Sequence, residues 1–215
     1  MTSVLQINNA VMTAEAPTGS LSFTLRAGDI GIIFGPPCSG KTALLAALLG
    51  EQKLNSGTID VLGGKVEQAS RSEMRRLRQR IGVLRHDDIL VSRHSLFDNV
   101  ALPLRIGRRE ERHIHDRVTA QLAEVGLLGK MRRRAQDLTA EERRLVSLAQ
   151  LAIKYPPLVL ADLRSDETDL RIIKPALFRL ATLGTAVLIF ERRKTPDGCL
   201  RFERIISLRE SLLVA

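Results

Sequence analysis

Tryptophan is absent from this 215-residue chain, tyrosine occurs once, and aromatic residues make up only 3% of it. The stacking platforms on which single-strand nucleic-acid binders rely are therefore missing. Two cysteines, Cys38 and Cys199, exclude a disulfide framework and offer no metal-ligand spacing. No run approaches the roughly 18 apolar residues that a membrane-spanning helix needs. The opening MTSVLQINNAV lacks the charged and apolar regions of a signal peptide, so the chain is expected to stay in the cytosol. Internal repeats and low-complexity linkers are missing too.

What is present is enough sequence for one sizeable core with a subdomain inserted in it. The formal net charge is +9. Arginines cluster at Arg75, Arg76, Arg78 and Arg80, at Arg105, Arg108, Arg109 and Arg112, and at Arg132, Arg133 and Arg134. Such a balance points to an anionic partner, nucleic acid or an anionic membrane surface, and the scarcity of aromatics favours the membrane. The plainer alternative is solvated helix faces with a basic bias.

The stretch Asp29 to Leu49, DIGIIFGPPCSGKTALLAALL, carries the strongest chemical signal. Gly35, Gly40, Lys41 and Thr42 stand at the GxxxxGKT spacing of a phosphate-binding loop. Glycines let backbone N–H groups curl around an oxyanion, and the helix starting near Lys41 turns its positive end toward the same charge. The candidate nucleotide-binding residues are Gly35, Pro36, Pro37, Cys38, Ser39, Gly40, Lys41 and Thr42. Lys41 would reach the β- and γ-phosphates of ATP, and Thr42 would offer its hydroxyl to Mg²⁺. The context fits, because Ile30 to Phe34 reads as a buried strand and Ala43 to Leu49 as an apolar helix. Cys38 is expected to serve as a small side chain within the loop.

Strands are expected at Val4 to Ile7, Leu21 to Leu25, Gly57 to Leu62 and Ile81 to Leu84, with a basic helix over Ser70 to Arg80. From about Asp87 to Tyr155 the composition turns helical and charged, with Ile114, Val118, Leu122 and Val125 at helical spacing. Leu158 to Ala161 has the form of a buried parallel strand ending in Asp162, the second candidate Mg²⁺ ligand. A helix over Leu170 to Leu183, a strand over Ala186 to Phe190, and closing strands at Ile205 to Leu208 and Leu212 to Val214 complete the reading. Alternating strands and helices argue for an α/β fold with a mostly parallel sheet and the nucleotide at the strands' C-terminal edge. His94, His113 and His115 read as surface residues, and Asp87 and Asp88 as caps of a turn.

Taken together, the phosphate loop, the strand ending in Asp162 and the helical segment between them resemble the ATP-binding subunit of ABC transporters over nearly the whole chain. LFDNVALPL, the VGLL at Val125 to Leu128, and RIISLRESLLV are most similar to the branch containing the cell-division subunit FtsE and the lipoprotein-release and macrolide-efflux ATPases. The resemblance implies a P-loop NTPase domain with antiparallel N-terminal strands, a core formed by residues 1–86 and 156–215, and a helical subdomain over 87–155. It further implies Mg-ATP as cofactor and a homodimer or a heterodimer with another ABC ATPase. The partner would be a permease-like or FtsX-like membrane protein on the cytoplasmic face of the inner membrane, received near His86 to Asn99. An FtsX-type complex relays a signal to cell-wall hydrolases.

The departures from the family pattern fall on hydrolysis. The glutamine that contacts Mg²⁺ and the attacking water aligns with His86, the catalytic glutamate with Leu163, and the switch histidine with Arg192. The LSGGQ signature, which faces the partner subunit's ATP, aligns with Leu138-Thr139-Ala140-Glu141-Glu142. The adenine-stacking aromatic has no counterpart between Ala10 and Ser20. Leucine accepts no proton, and a positioned general base is worth on the order of 10²- to 10⁴-fold in rate. Thr139 and Glu142 form a T-x-x-E capping box, so a helix is expected from Ala140. A carboxylate facing a phosphate charge at about 5 Å costs roughly 3 kcal/mol at an effective dielectric of about 20, which opposes an ATP-sandwich dimer. The expectation is a subunit that binds Mg-ATP and hydrolyses it weakly or not at all, with no confident catalytic residue. The alternatives are an ATPase using His86 or Asp166 as substitute base, and a nucleic-acid-associated ABC protein.

Overall fold

The computed structural model describes residues 3–12, 20–85, 87–107, 110–163, 169–192 and 201–205. Along the chain come β1 (Ser3–Val11), β2 (Leu21–Arg26), β3 (Ile30–Gly35), α1 (Lys41–Leu48), β4 (Ser56–Val61), β5 (Gly64–Lys65), α2 (Arg71–Arg80) and β6 (Ile81–Leu84). There follow α3 (Leu96–Ile106), α4 (Glu111–Glu124), α5 (Ala140–Ala152), β7 (Leu158–Asp162), α6 (Lys174–Thr182), β8 (Ala186–Arg192) and β9 (Arg201–Ile205). The chain divides into two compact units, residues 1–83 with 157–215, and residues 84–156.

The first unit holds two sheets, one in the order β2-β1-β4-β5 and one in the order β6-β7-β8-β3-β9. In the first sheet β1 pairs antiparallel with β2 and β4, and β4 pairs antiparallel with β5. In the second sheet β3 runs parallel to β8, and β8 parallel to β7. Strict alternation sets the faces: Leu21, Phe23 and Leu25 of β2 are buried while Ser22, Thr24 and Arg26 are exposed. One apolar cluster joins Leu5, Ile7 and Leu25 from the first sheet, Leu44 and Leu48 from α1, and Leu158, Leu160, Leu188 and Phe190 from the second. α2 begins in a capping box, in which the Ser70 hydroxyl accepts from the Glu73 N–H and the Glu73 carboxylate accepts from the Ser70 N–H.

One expectation is corrected here and one is met only in part of its span. A strand runs over Arg201–Ile205, antiparallel to β3; of the strand expected at Ile205 to Leu208, residues 206–208 lie outside the described residues. The register of β9 follows from Phe202, whose ring stacks on Phe23 with centroids 3.9 Å apart. A Cβ at Gly31 would lie 2.6 Å from the Phe202 ring, so only glycine lets the two strands approach. The expected strand at Leu212 to Val214 lies outside the described residues. The single helix expected over Leu170 to Leu183 is a π-helical turn, Asp169–Ile173, followed by α6. Pro175 explains the break: it has no N–H to donate and fits only the first turn of a helix, so a new helix starts at Lys174.

The second unit packs α3, α4 and α5 around Leu96, Val100, Leu104, Ile114, Val118, Leu122, Val146 and Ala149. Pro103 lies within α3 without ending it. Proline cannot supply the hydrogen bond that the Asn99 carbonyl, four residues earlier, would otherwise accept. The Gln150 side-chain amide of α5 donates to that carbonyl at 2.9 Å instead. The fully buried Asn99 side chain accepts from the Val91 N–H at 2.8 Å and donates to the Val91 and Ser95 carbonyls, pinning the segment that enters α3.

Candidate phosphate site

β3 ends at Gly35, and the chain turns through residues 36–40 into α1. The turn uses left-handed backbone at Cys38 (φ 60°) and Gly40 (φ 94°). Glycine carries no penalty there, whereas a side-chain-bearing residue such as Cys38 is strained, a feature that concentrates at binding sites. Ser39 closes the loop by donating its hydroxyl to the Pro36 carbonyl at 2.8 Å. The N-terminus of α1 has no side-chain cap and no acidic residue in its first turn. Its leading N–H groups are therefore available to an anion.

Lys41 folds back over the loop and donates to the Gly35 carbonyl at 2.7 Å, the Pro36 carbonyl at 2.6 Å and the Ser39 hydroxyl at 3.2 Å. Burial lowers its pKa below the ordinary lysine value; Asp162 raises it in part, Arg192 lowers it further and Cys38 raises it slightly. The first residues of α1 thus lie within electrostatic reach of Asp162 and Arg192. Strand alternation explains the convergence. Leu158 and Leu160 face the α1 cluster, which places Asp162 on the same face; Leu188 and Phe190 do the same for Arg192. Thr42 is exposed in the first turn of α1, and Cys38 is an exposed free thiol.

Leu163, directly after Asp162, is 4% exposed, and its N–H donates to the Phe190 carbonyl at 3.1 Å. It brings no polar side-chain atom to the strand end. His86 and Asp166, the alternative bases, lie outside the described residues. Glu191, which the motif reading did not single out, is buried next to Arg192, and Lys174 lies 2.5 Å from its carboxylate. The only sequence signal for it was a carboxylate directly following an apolar strand.

In the second unit, the helix N-terminus at the signature position differs in kind from that of α1. Thr139 caps α5, accepting from the Glu142 N–H at 3.1 Å, while Glu142 accepts from the Thr139 N–H at 2.9 Å and pairs with Lys130. The Lys130 ammonium, with the Thr139 N–H behind it, holds the Glu142 carboxyl below the ordinary glutamate range. Arg143 donates to the Leu138 carbonyl at 2.6 Å. Arg144 is buried and donates to the Arg85 carbonyl, with Asp88 3.4 Å away. Both arginines thus spend donors on backbone carbonyls, those of Leu138 and Arg85. Among the described residues no His/Cys/Asp/Glu cluster forms a metal site.

Residues 18–163 match the ABC transporter family. The cell division ATP-binding protein FtsE of Haemophilus influenzae is 31% identical over 194 residues, 86% of this chain and 88% of that protein. The methionine import ATP-binding protein MetN of Clostridium tetani is 27% identical over 158 residues, 74% of this chain; the match spans only 50% of that protein's length. Among solved structures, a CbiO protein of Clostridium perfringens, part of the ABC transporter complex CbiONQ, superposes with a TM-score of 0.81. That match covers 99% of this chain and 92% of the other at 18% identity, a likeness of fold. With its phosphate loop, its strand-end aspartate and this match, the chain belongs to the ABC transporter family and carries that family's ATP-binding domain.

Proposed function

We propose that this chain is an FtsE-like ATP-binding subunit that holds Mg-ATP through residues 35–42 and Asp162 and hydrolyses it very slowly or not at all. The observation that carries the reading is the contrast at one strand edge: Lys41, Asp162 and an uncapped helix N-terminus converge, while the next residue is the buried, apolar Leu163. The donor set fits the group. Loop N–H groups and the α1 terminus take up phosphate charge, Lys41 exchanges its loop carbonyls for phosphate oxygens, and the Thr42 hydroxyl and Asp162 carboxylate supply oxygen ligands suited to Mg²⁺. Bound Mg²⁺ would supply charge neutralisation across the phosphates. With no acceptor at Leu163, no residue placed there takes a proton from water.

The α5 terminus supports the same reading. Two of its leading donors are taken, the Glu142 N–H by Thr139 and the Thr139 N–H by Glu142, and Glu141 adds a second negative charge, so it offers a partner's triphosphate less than the α1 terminus does. Because the changes at Leu163 and at Glu141 and Glu142 fall on one chain, each composite site of a heterodimer with an intact paralogue would receive one of them. The role left is ATP-dependent docking on a permease-like or FtsX-like membrane protein. Ile89 and Val91, 72% and 42% exposed in the segment resembling the docking groove, suit such a contact. No helix among the described residues is long and apolar enough to cross a membrane, consistent with a peripheral subunit on the cytoplasmic face.

Equilibrium titration with Mg-ATP tests the binding half of this reading. Wild type is expected to bind in the micromolar range and Lys41→Ala to lose at least tenfold; a wild type that binds no Mg-ATP contradicts it.

A further inference from the structure

At the end of α1 away from the phosphate loop, the first unit holds a cleft of about 850 Å³, walled by residues 50–54, by the turn at 66–69 and by α2. That volume lies within the roughly 300–1,000 Å³ of small-molecule sites. Arg71, Arg75 and Arg78 stand at i, i+4 and i+7, so one face of α2 turns three guanidinium groups to the cleft, and Lys53 adds a fourth cation. The lining holds two carboxylates, Glu51 and Glu67, and Glu67 accepts from the Ile59 N–H at 2.8 Å. Arg78 donates to the Leu49 carbonyl at 2.7 Å and to the Gly50 carbonyl at 3.3 Å, which neutralises the negative end of α1. Among the described residues Arg71, Arg75 and Lys53 have no ion-pair or hydrogen-bond partner. Other arginines are occupied: Arg105 pairs with Asp98 and Glu111, and Arg117 donates to the Ile153 carbonyl. Between the charges lie Ala47, Leu54, Val66 and Met74, an apolar floor. Gly50, at φ 62°, lets the end of α1 close on Met74, whose methyl group a Cβ would meet at 2.6 Å.

We propose that this cleft is a second anion site, separate from the phosphate loop, which takes a small phosphorylated molecule with an apolar body. Arg71 and Arg75 are about one turn apart, roughly 6 Å along the helix axis, so their planar forks can converge on the oxygens of one phosphate group. A cleft wall of one charge sign concentrates the field more than a convex helix face does. The floor of Ala47, Leu54, Val66 and Met74 receives the body that carries the phosphate. Among the described residues no aromatic ring lines the cleft, so that body is held by buried apolar area rather than by stacking. Arg76 and Arg80 lie on the same helix but outside the lining, which separates a built site from a merely basic helix. The inference stands apart from the nucleotide-binding reading, because none of these residues belongs to the phosphate loop.

The test is titration of phenyl phosphate, and of inorganic phosphate, into the full chain carrying Lys41→Ala, so that the phosphate loop contributes least. Adding Arg71→Ala with Arg75→Ala is expected to weaken phenyl phosphate binding at least about tenfold, the range of charge-assisted contacts. Adding Arg76→Ala with Arg80→Ala removes the same charge from the same helix outside the cleft and should change binding less than about twofold, the scale of a screened surface charge. Inorganic phosphate, which has no apolar body, should bind at least about fivefold more weakly than phenyl phosphate. All four arginines are exposed, so both double variants should keep the melting temperature of their parent. Equal weakening by the two double variants, or phenyl phosphate binding that wild type shows and Lys41→Ala abolishes, overturns the inference. Capture of the chain by phosphatidylcholine vesicles containing phosphatidic acid, with no affinity for phenyl phosphate, assigns these arginines to a membrane surface and overturns it as well. Each of these outcomes leaves the Mg-ATP titration of wild type, and the reading it tests, unaffected.

Discussion

Restoring a carboxylate at position 163 tests whether its loss is what silences the site. Leu163 is 4% exposed and its N–H is fixed to the Phe190 carbonyl at 3.1 Å, so Leu163→Glu changes the side chain on a held backbone. Losing a buried leucine costs about 2 kcal/mol, which for a chain of this size lowers the melting temperature by about 4–8 °C. A well-placed general base returns 10²- to 10⁴-fold in rate. With arginine standing at 192, the low end, about 10²-fold or about 2.7 kcal/mol of barrier, is the expected gain. The assay is phosphate release under single-turnover conditions, beside Leu163→Gln, which has similar size and polarity but no basic oxygen and should gain less than about threefold. A Leu163→Glu protein that folds and binds Mg-ATP, yet releases phosphate no faster than wild type and Leu163→Gln, refutes the reasoning.

Thr139→Ala removes the α5 cap and is expected to cost about 1 kcal/mol, read as a drop of about 2–4 °C in melting temperature with Mg-ATP affinity unchanged. Gln150→Leu strips the Asn99 carbonyl of the donor that replaces the missing Pro103 N–H, and denaturant unfolding should show a loss of about 1–3 kcal/mol. Because the Lys130 hydrogen bond, followed by that from Thr139, holds the folded Glu142 carboxyl below its unfolded value, its stabilisation is complete above the ordinary glutamate range and disappears as pH falls through the depressed value. Glu142→Gln should therefore flatten the acid limb of a stability-versus-pH curve. Mg-ATP should slow maleimide labelling of Cys38 at least tenfold in a Cys199→Ala background, and equal rates with and without nucleotide would place ATP elsewhere.

Local chemistry was legible wherever one residue type dictates one conformation. The GxxxxGKT spacing located the loop, the alternation of Leu21, Phe23 and Leu25 set a strand face, and T-x-x-E at Thr139 and Glu142 announced the cap of α5. What escaped depended on partners distant in sequence. β9 is placed by Phe202 meeting Phe23 across a gap that Gly31 leaves open, and nothing local to residues 201–205 specifies that. Pro103 would ordinarily have argued against a continuous α3, and only Gln150, on another helix, explains why it does not. The pairing of Lys174 with Glu191 and the approach of Arg192 to Lys41 likewise depend on the strand order β7-β8-β3. That order brings to the loop a strand encoded some 150 residues later.

Bound nucleotide and released phosphate, measured on one preparation over hours at saturating Mg-ATP, test the central claim most directly. The account predicts near-stoichiometric bound ATP recovered intact, with release at least about 10²-fold below a turnover of one per second. Release near that rate, abolished by Lys41→Ala, would contradict it.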